Sequence, residues 1–122
     1  MNLKNEPIKV LAQYVRDIML TYKRAKIDCV IGNKTSLEKK YYLKFLNDEV
    51  KVLNAKEYAI AIESIIDSLT DEEKEIIENI YIKCNTNPFW YLETLSRSTY
   101  YRYKRKMLEN FLHYFWEKLL SY

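Results

Sequence analysis

Asn85-Thr86-Asn87-Pro88-Phe89-Trp90-Tyr91-Leu92-Glu93-Thr94-Leu95-Ser96-Arg97-Ser98-Thr99-Tyr100-Tyr101-Arg102-Tyr103-Lys104-Arg105-Lys106 is the stretch on which the fold of this chain turns. Its first four residues predict a turn. Asn85 suits a left-handed position after a helix, Asn87 suits a cap, and Pro88 suits the first helical residue. A short helix is expected over Phe89–Leu95, broken at Ser96, and a long helix from Arg97 to about Leu119. Short helix, tight break and longer helix make a helix-turn-helix pattern. Residues 97–106 hold five basic residues, three tyrosines and no acid. Turning the last helix by about 100° per residue places Tyr100, Tyr103, Met107, Leu108, Phe111 and Phe115 in one apolar sector. Ser98, Arg102, Arg105, Lys106 and Glu109 fall opposite, Arg97 and Tyr101 flank them, and Lys104 lies near the apolar sector, where its stem can snorkel. A cationic, hydroxyl-bearing face on a rigid rod offers donors to phosphates and reaching side chains to base edges. The plainer reading is a solvated basic face, and both stay open at this point.

Upstream, Thr70-Asp71-Glu72-Glu73 is a capping box with acids in the first helical turn, where the helix dipole favours them. Ile76, Ile77, Ile80 and Cys84 are expected to face inward. The acidic run reads as helix-start electrostatics in preference to a metal or catalytic cluster, because the chain has one histidine, His113, itself read as a surface residue. Asn54-Ala55-Lys56-Glu57 is a second capping box, and Tyr58, Ile62, Ile65 and Ile66 predict the buried face of a helix ending near Ser68. The first helix is expected from Pro7 to about Asp28, capped by Asn5, with a stripe of Ile8, Leu11, Val15, Ile18, Met19 and Tyr22. Gly32-Asn33 punctuates its end.

Lys34–Leu53 admits two readings. Thr35-Ser36-Leu37-Glu38 resembles a capping box and favours a helix through Leu46. Tyr42–Phe45, Asn47-Asp48 and Val50–Val52 would also suit a small hairpin. Helix is preferred, because nothing else in the chain resembles a sheet partner.

These elements make an all-α fold: a small helical bundle, one domain over residues 1–122, with an N-terminal helical part (1–53) and a C-terminal helix-turn-helix module (54–122). A single glycine, Gly32, excludes a glycine-rich phosphate loop, and the net charge of +3 excludes a polybasic tail. With no nucleophile motif or paired-ligand spacing, the chain is not expected to be an enzyme, and no cofactor or metal is implied. Cys29 and Cys84 read as small buried hydrophobes, with a disulfide or metal pair the lesser alternative. Met1–Lys9 lacks an apolar core and no apolar run approaches the roughly 18 residues of a span, so a cytoplasmic location without membrane contact is expected.

Leu69-Thr70-Asp71-Glu72-Glu73…Ile76-Ile77…Tyr81, followed by Leu95-Ser96-Arg97-Ser98-Thr99-Tyr100-Tyr101-Arg102-Tyr103-Lys104, resembles the C-terminal module of sigma-region-4-like regulators. The ArpU/RinA type of phage late-gene transcriptional regulators is the nearest pattern. The resemblance covers roughly Ala55–Phe115. It implies that Ser96 caps a recognition helix, that Ser98 and Thr99 lie at the phosphate backbone, and that Arg97, Tyr101, Arg102 and Arg105 reach the groove. Lys106 is expected to add a phosphate contact from the same face. Double-stranded DNA is the implied partner and RNA polymerase a second one. Members often carry a small residue and a glycine through this middle helix and turn, where Trp90, Glu93 and Thr94 stand here, and a bulky Trp90 is expected to push the two helices apart or reorient them. The alternative function is a helical interaction module or adaptor that leaves the groove face unused. Phe111, Leu112, Tyr114, Phe115, Trp116, Leu119 and Leu120 cover nearly the whole circumference of the last turns. Phe111 and Phe115 are expected inside the monomer, with Trp116 or Leu120 reaching a partner or a second copy, as in a homodimer.

Overall fold

A computed structural model describes residues 3–31, 40–44 and 50–120, with side chains at 3–29 and 53–118. After a 3-10 turn at Leu3–Asn5, helix α1 spans Ile8–Ile31. Strands β1 (Lys40–Lys44) and β2 (Val50–Asn54) pair antiparallel, with Tyr42 opposite Val52 and Tyr41 opposite Leu53. Helices α2 (Ala55–Asp67), α3 (Asp71–Ile77, prolonged by a π-helical turn at Glu78–Ile82) and α4 (Arg97–Leu120) complete the described chain. The described residues are mostly helical, with one two-stranded hairpin among them.

That hairpin corrects the helix expected through Leu46. Tyr and Val suit a pleated backbone, and the pairing is local enough to form without a third strand. Residues 34–39 and 45–46 of that expected helix, with its Thr35 capping box, and the Gly32-Asn33 stop lie outside the described residues. α1 starts at Ile8, one residue after the expected Pro7, and Pro7 takes the capping position in place of Asn5. The Pro7 carbonyl accepts from the Val10 and Leu11 amides (3.0 and 3.2 Å), while Asn5 belongs to the preceding 3-10 turn, closed by the Glu6 amide on Leu3 O at 3.2 Å.

Both capping boxes form. Asn54 Oδ1 accepts from the Glu57 amide at 2.8 Å, and Glu57 Oε1 accepts from the Asn54 amide at 3.1 Å. Because Asn54 is extended (φ −80°, ψ 172°), one residue ends β2 and caps α2. Thr70 and Glu73 make the reciprocal pair that starts α3. Glu73 is buried, and its second oxygen accepts from Asn110 Nδ2 at 2.9 Å, so the capping carboxylate also ties α3 to α4. Asp71 and Glu72 are exposed.

Leu11, Val15 and Met19 of α1, Tyr58, Ile62 and Ile65 of α2, Ile76 and Ile77 of α3, and Met107, Leu108 and Phe111 of α4 form one continuous core. The N-terminal part is thus packed with the C-terminal one. The sector of α4 expected to be apolar is the sector buried, with Tyr103 half-buried at its edge. At the C-terminal turns Phe111, Leu112 and Phe115 are buried, and Tyr114 and Trp116 pack half-buried against the same core. The side chains of Leu119 and Leu120 lie outside the described residues.

The helical run that starts with α3 ends one residue earlier than its sequence predicts. The Lys83 amide bonds to Glu78 O (2.7 Å) and the Asn85 amide to Asn79 O (2.8 Å), the C-terminal closure a helix acquires when a π turn inserts one residue. The left-handed position therefore falls on Cys84 (φ 50°), not Asn85. Cys84 is exposed and Cys29 half-buried, which corrects their reading as buried hydrophobes. Lys23 Nζ donates to the Cys84 sulfur at 3.2 Å.

Three tyrosine hydroxyls are held well above their ordinary value of 10.0, each to about 12. Burial is the main cause for Tyr22, Tyr81 and Tyr100, assisted at Tyr22 by Glu63, which accepts its hydroxyl at 3.0 Å. Between pH 10 and 12 the folded chain retains protons the unfolded chain has lost, so stability is unaffected below pH 10 and falls as pH rises to 12. A tyrosinate absorbance titration should show at least three of the twelve tyrosines titrating late, in step with loss of helical circular dichroism.

Candidate nucleic-acid interface

The segment between α3 and α4 is not the short helix its sequence suggests. Residues 88–94 form consecutive turns, closed by Leu92 N–Phe89 O (3.1 Å) and Leu95 N–Tyr91 O (2.9 Å). Asn87 does cap them, its Oδ1 accepting from the Phe89 amide at 3.0 Å. The aromatics explain the departure. Tyr91 is buried and stacked flat on Tyr100 of α4 (ring centroids 3.6 Å, planes within 2°), and Trp90 sets its edge against both rings at 5.9 and 5.7 Å. A regular helix would have to direct these rings by its own period; the turns place them for stacking on α4. Trp90 thus fastens the segment to α4.

Ser96 caps α4. Its hydroxyl accepts from the Thr99 amide at 3.2 Å and donates to Thr99 Oγ1 at 2.8 Å, and the Tyr100 amide bonds to Ser96 O at 2.9 Å. Thr99 is therefore half-buried with its hydroxyl engaged, while Ser98 stands exposed beside Ser96. Arg97, Tyr101, Arg102 and Lys106 are exposed as well. Arg97 lies over the Phe89 ring at 5.7 Å and Arg102 over Tyr103 at 5.5 Å. Lys104 is half-buried with its ammonium 5.9 Å from the Tyr101 ring, and desolvation lowers its pKa. Five of the seven residues singled out in the sequence as DNA contacts, Ser98 among them, thus share an open surface along the first three turns of α4, about 14 Å at 1.5 Å per residue.

Arg105 is employed elsewhere. Its Nε donates to Glu109 Oε1 at 2.9 Å, and one Nη donates to the carbonyls of Lys4 (3.0 Å) and Glu6 (2.8 Å). The guanidinium is a clasp that holds the N-terminal turn against α4, so Arg105 is not free to reach a groove. Nor is its replacement expected to leave stability untouched, as its outward position on the helix suggests. Hydrogen bonds to a charged group contribute about 1.5–3 kcal/mol, so Arg105→Ala is expected to destabilise by about 2 kcal/mol. Arg105→Lys should recover only part, because one ammonium cannot span the fork geometry. Urea unfolding of the three proteins checks this.

Two features escape sequence reading. Phe89 (51% exposed) stands open beneath Arg97, and Leu92 (47%) is open in the same run of turns, because the aromatic stack, not a helical period, sets the path of the chain. On α1, Lys9 and Arg16 are exposed and Lys23 half-buried in a row seven residues apart, with the Arg16 charge beside Tyr81. The seven-residue spacing was the available signal. Among the described residues there is no cluster of His, Cys, Asp or Glu able to hold a metal ion, and no helix long and apolar enough to cross a membrane. His113 is exposed and pairs with Glu117 at 3.2 Å.

No protein-family model matches the chain, and no match is found among curated proteins or solved structures.

Proposed function

We propose that the protein binds double-stranded DNA through the exposed N-terminal face of α4 and acts as a transcriptional regulator, without chemistry of its own. One observation carries this reading: Arg97, Ser98, Tyr101, Arg102 and Lys106 are all exposed on the first turns of a helix whose opposite side is anchored in the core. A helix about 10–12 Å across that projects cations and a phenol suits a major groove about 12 Å wide. The Ser96 cap and the stacked Tyr91–Tyr100 pair fix the rod's start, so recognition would not have to order it first. The arrangement departs from a regular helix-turn-helix in that turns replace the first helix, and the aromatic stack does the work of the helix–helix contact. Arg105 contributes by holding the frame.

Retention on immobilised duplex at two salt concentrations tests this. Phosphate contacts release counterions, so wild type is expected to bind at low salt and elute at high salt. Absence of retention at low salt would defeat the reading and favour an adaptor that docks other proteins.

A further inference from the structure

Phe89, Arg97, Tyr101 and Lys104 form a continuous edge at the start of α4. Arg97 covers one side of Phe89, Tyr101 follows Arg97 by one helical turn, and Lys104 lies over Tyr101. Phe89 and Tyr101 are about half exposed (51% and 49%). The support beneath Phe89 is rigid: its amide is held by Asn87, its carbonyl accepts from Leu92, and the next two residues are locked into the stack with Tyr100. Arg97 and Lys104 each lie over one of these rings and still leave about half of it open on a fixed platform. Charge selects what would cover them. Between Asn85 and Leu108 the one carboxylate is Glu93, against five basic residues. The fitting ligand is both polyanionic and rich in flat π-faces.

We propose that this edge stacks unpaired nucleobases, so that the preferred ligand is a DNA duplex carrying a short melted segment where the N-terminal end of α4 meets it. This rests on the DNA reading of the same face and goes beyond it. The duplex contacts hold the strand, Arg97 and Lys104 flank the displaced backbone, and Phe89 offers its ring to an extruded base. Base–aromatic stacking tolerates any sequence, because every base has a π-face.

The test compares one blunt duplex with the same duplex containing a three-nucleotide mismatch bubble, with 2-aminopurine in the bubble. Wild type is expected to bind the bubble about tenfold more tightly and to quench the probe. Phe89→Ala, an exposed replacement, should keep duplex affinity and lose both the preference and the quenching. Phe89→Tyr should keep them, and Phe89→Leu, apolar but without a π-face, should lose the quenching. Equal binding of the two DNAs by wild type, or an undiminished preference in Phe89→Ala, overturns the stacking proposal and leaves duplex binding standing. Failure to bind either DNA overturns the duplex reading itself.

Discussion

Phe111→Ala is expected to destabilise the protein by about 3–5 kcal/mol, the usual cost of emptying a fully enclosed aromatic site. Phe111 has no exposed surface, and its ring lies 6.5 Å from that of Phe115 in nearly parallel planes. It sits on α4 where the helix meets a core that also takes in α1, α2 and α3. For a chain of 122 residues the melting temperature should fall by roughly 12–20 °C. Trp116→Ala, at a half-buried position, should cost clearly less. Thermal melts followed by circular dichroism compare the two, and equal losses would mean that Trp116 is as fully enclosed as Phe111.

The second large effect concerns binding. Replacing Arg97, Arg102 and Lys106 together with alanine lowers the formal net charge from +3 to 0 (3 − 3 = 0). It should weaken duplex affinity by about 4 kcal/mol, roughly a thousandfold, since base-reading arginines contribute about 1–3 kcal/mol each and a phosphate contact adds to them. Stability should change little: the three side chains are exposed, and their removal takes away two cation–π pairs at about 0.5 kcal/mol each. Fluorescence anisotropy with a labelled duplex, beside a urea titration of the same variant, separates the two effects. Lys106→Ala alone should weaken binding to all sequences alike and flatten the salt slope by about one.

What the sequence made legible was local. The capping boxes at Asn54 and Thr70 each need only four consecutive residues, and both form as read. The buried sector of α4 follows from a helical period sustained over many turns, so Met107, Leu108, Phe111 and Phe115 could be assigned without a partner in view. Where two local patterns competed, tertiary contact decided. Lys40–Lys44 and Val50–Asn54 pair with each other, and Leu53 is buried in the common core. The turns before α4 depend on Tyr91 meeting Tyr100 face to face, a contact the hydrophobic pattern does not encode. The π turn shifts the end of α3 by one residue, and with it the left-handed position from Asn85 to Cys84. The role of Arg105 was least accessible, because its carbonyl partners lie 101 and 99 residues away in the chain. On a helical wheel Arg105 and Lys106 look alike; the N-terminal turn distinguishes them.

Amide chemical-shift mapping during titration with a duplex locates the DNA contact without any substitution. Perturbations are expected to concentrate at Arg97, Ser98, Tyr101, Arg102 and Lys106, with the acidic start of α3 at Asp71 and Glu72 unaffected and the changes reversed by added salt. Salt-insensitive shifts centred away from the first turns of α4, or no shifts at low salt, would contradict DNA binding by this face.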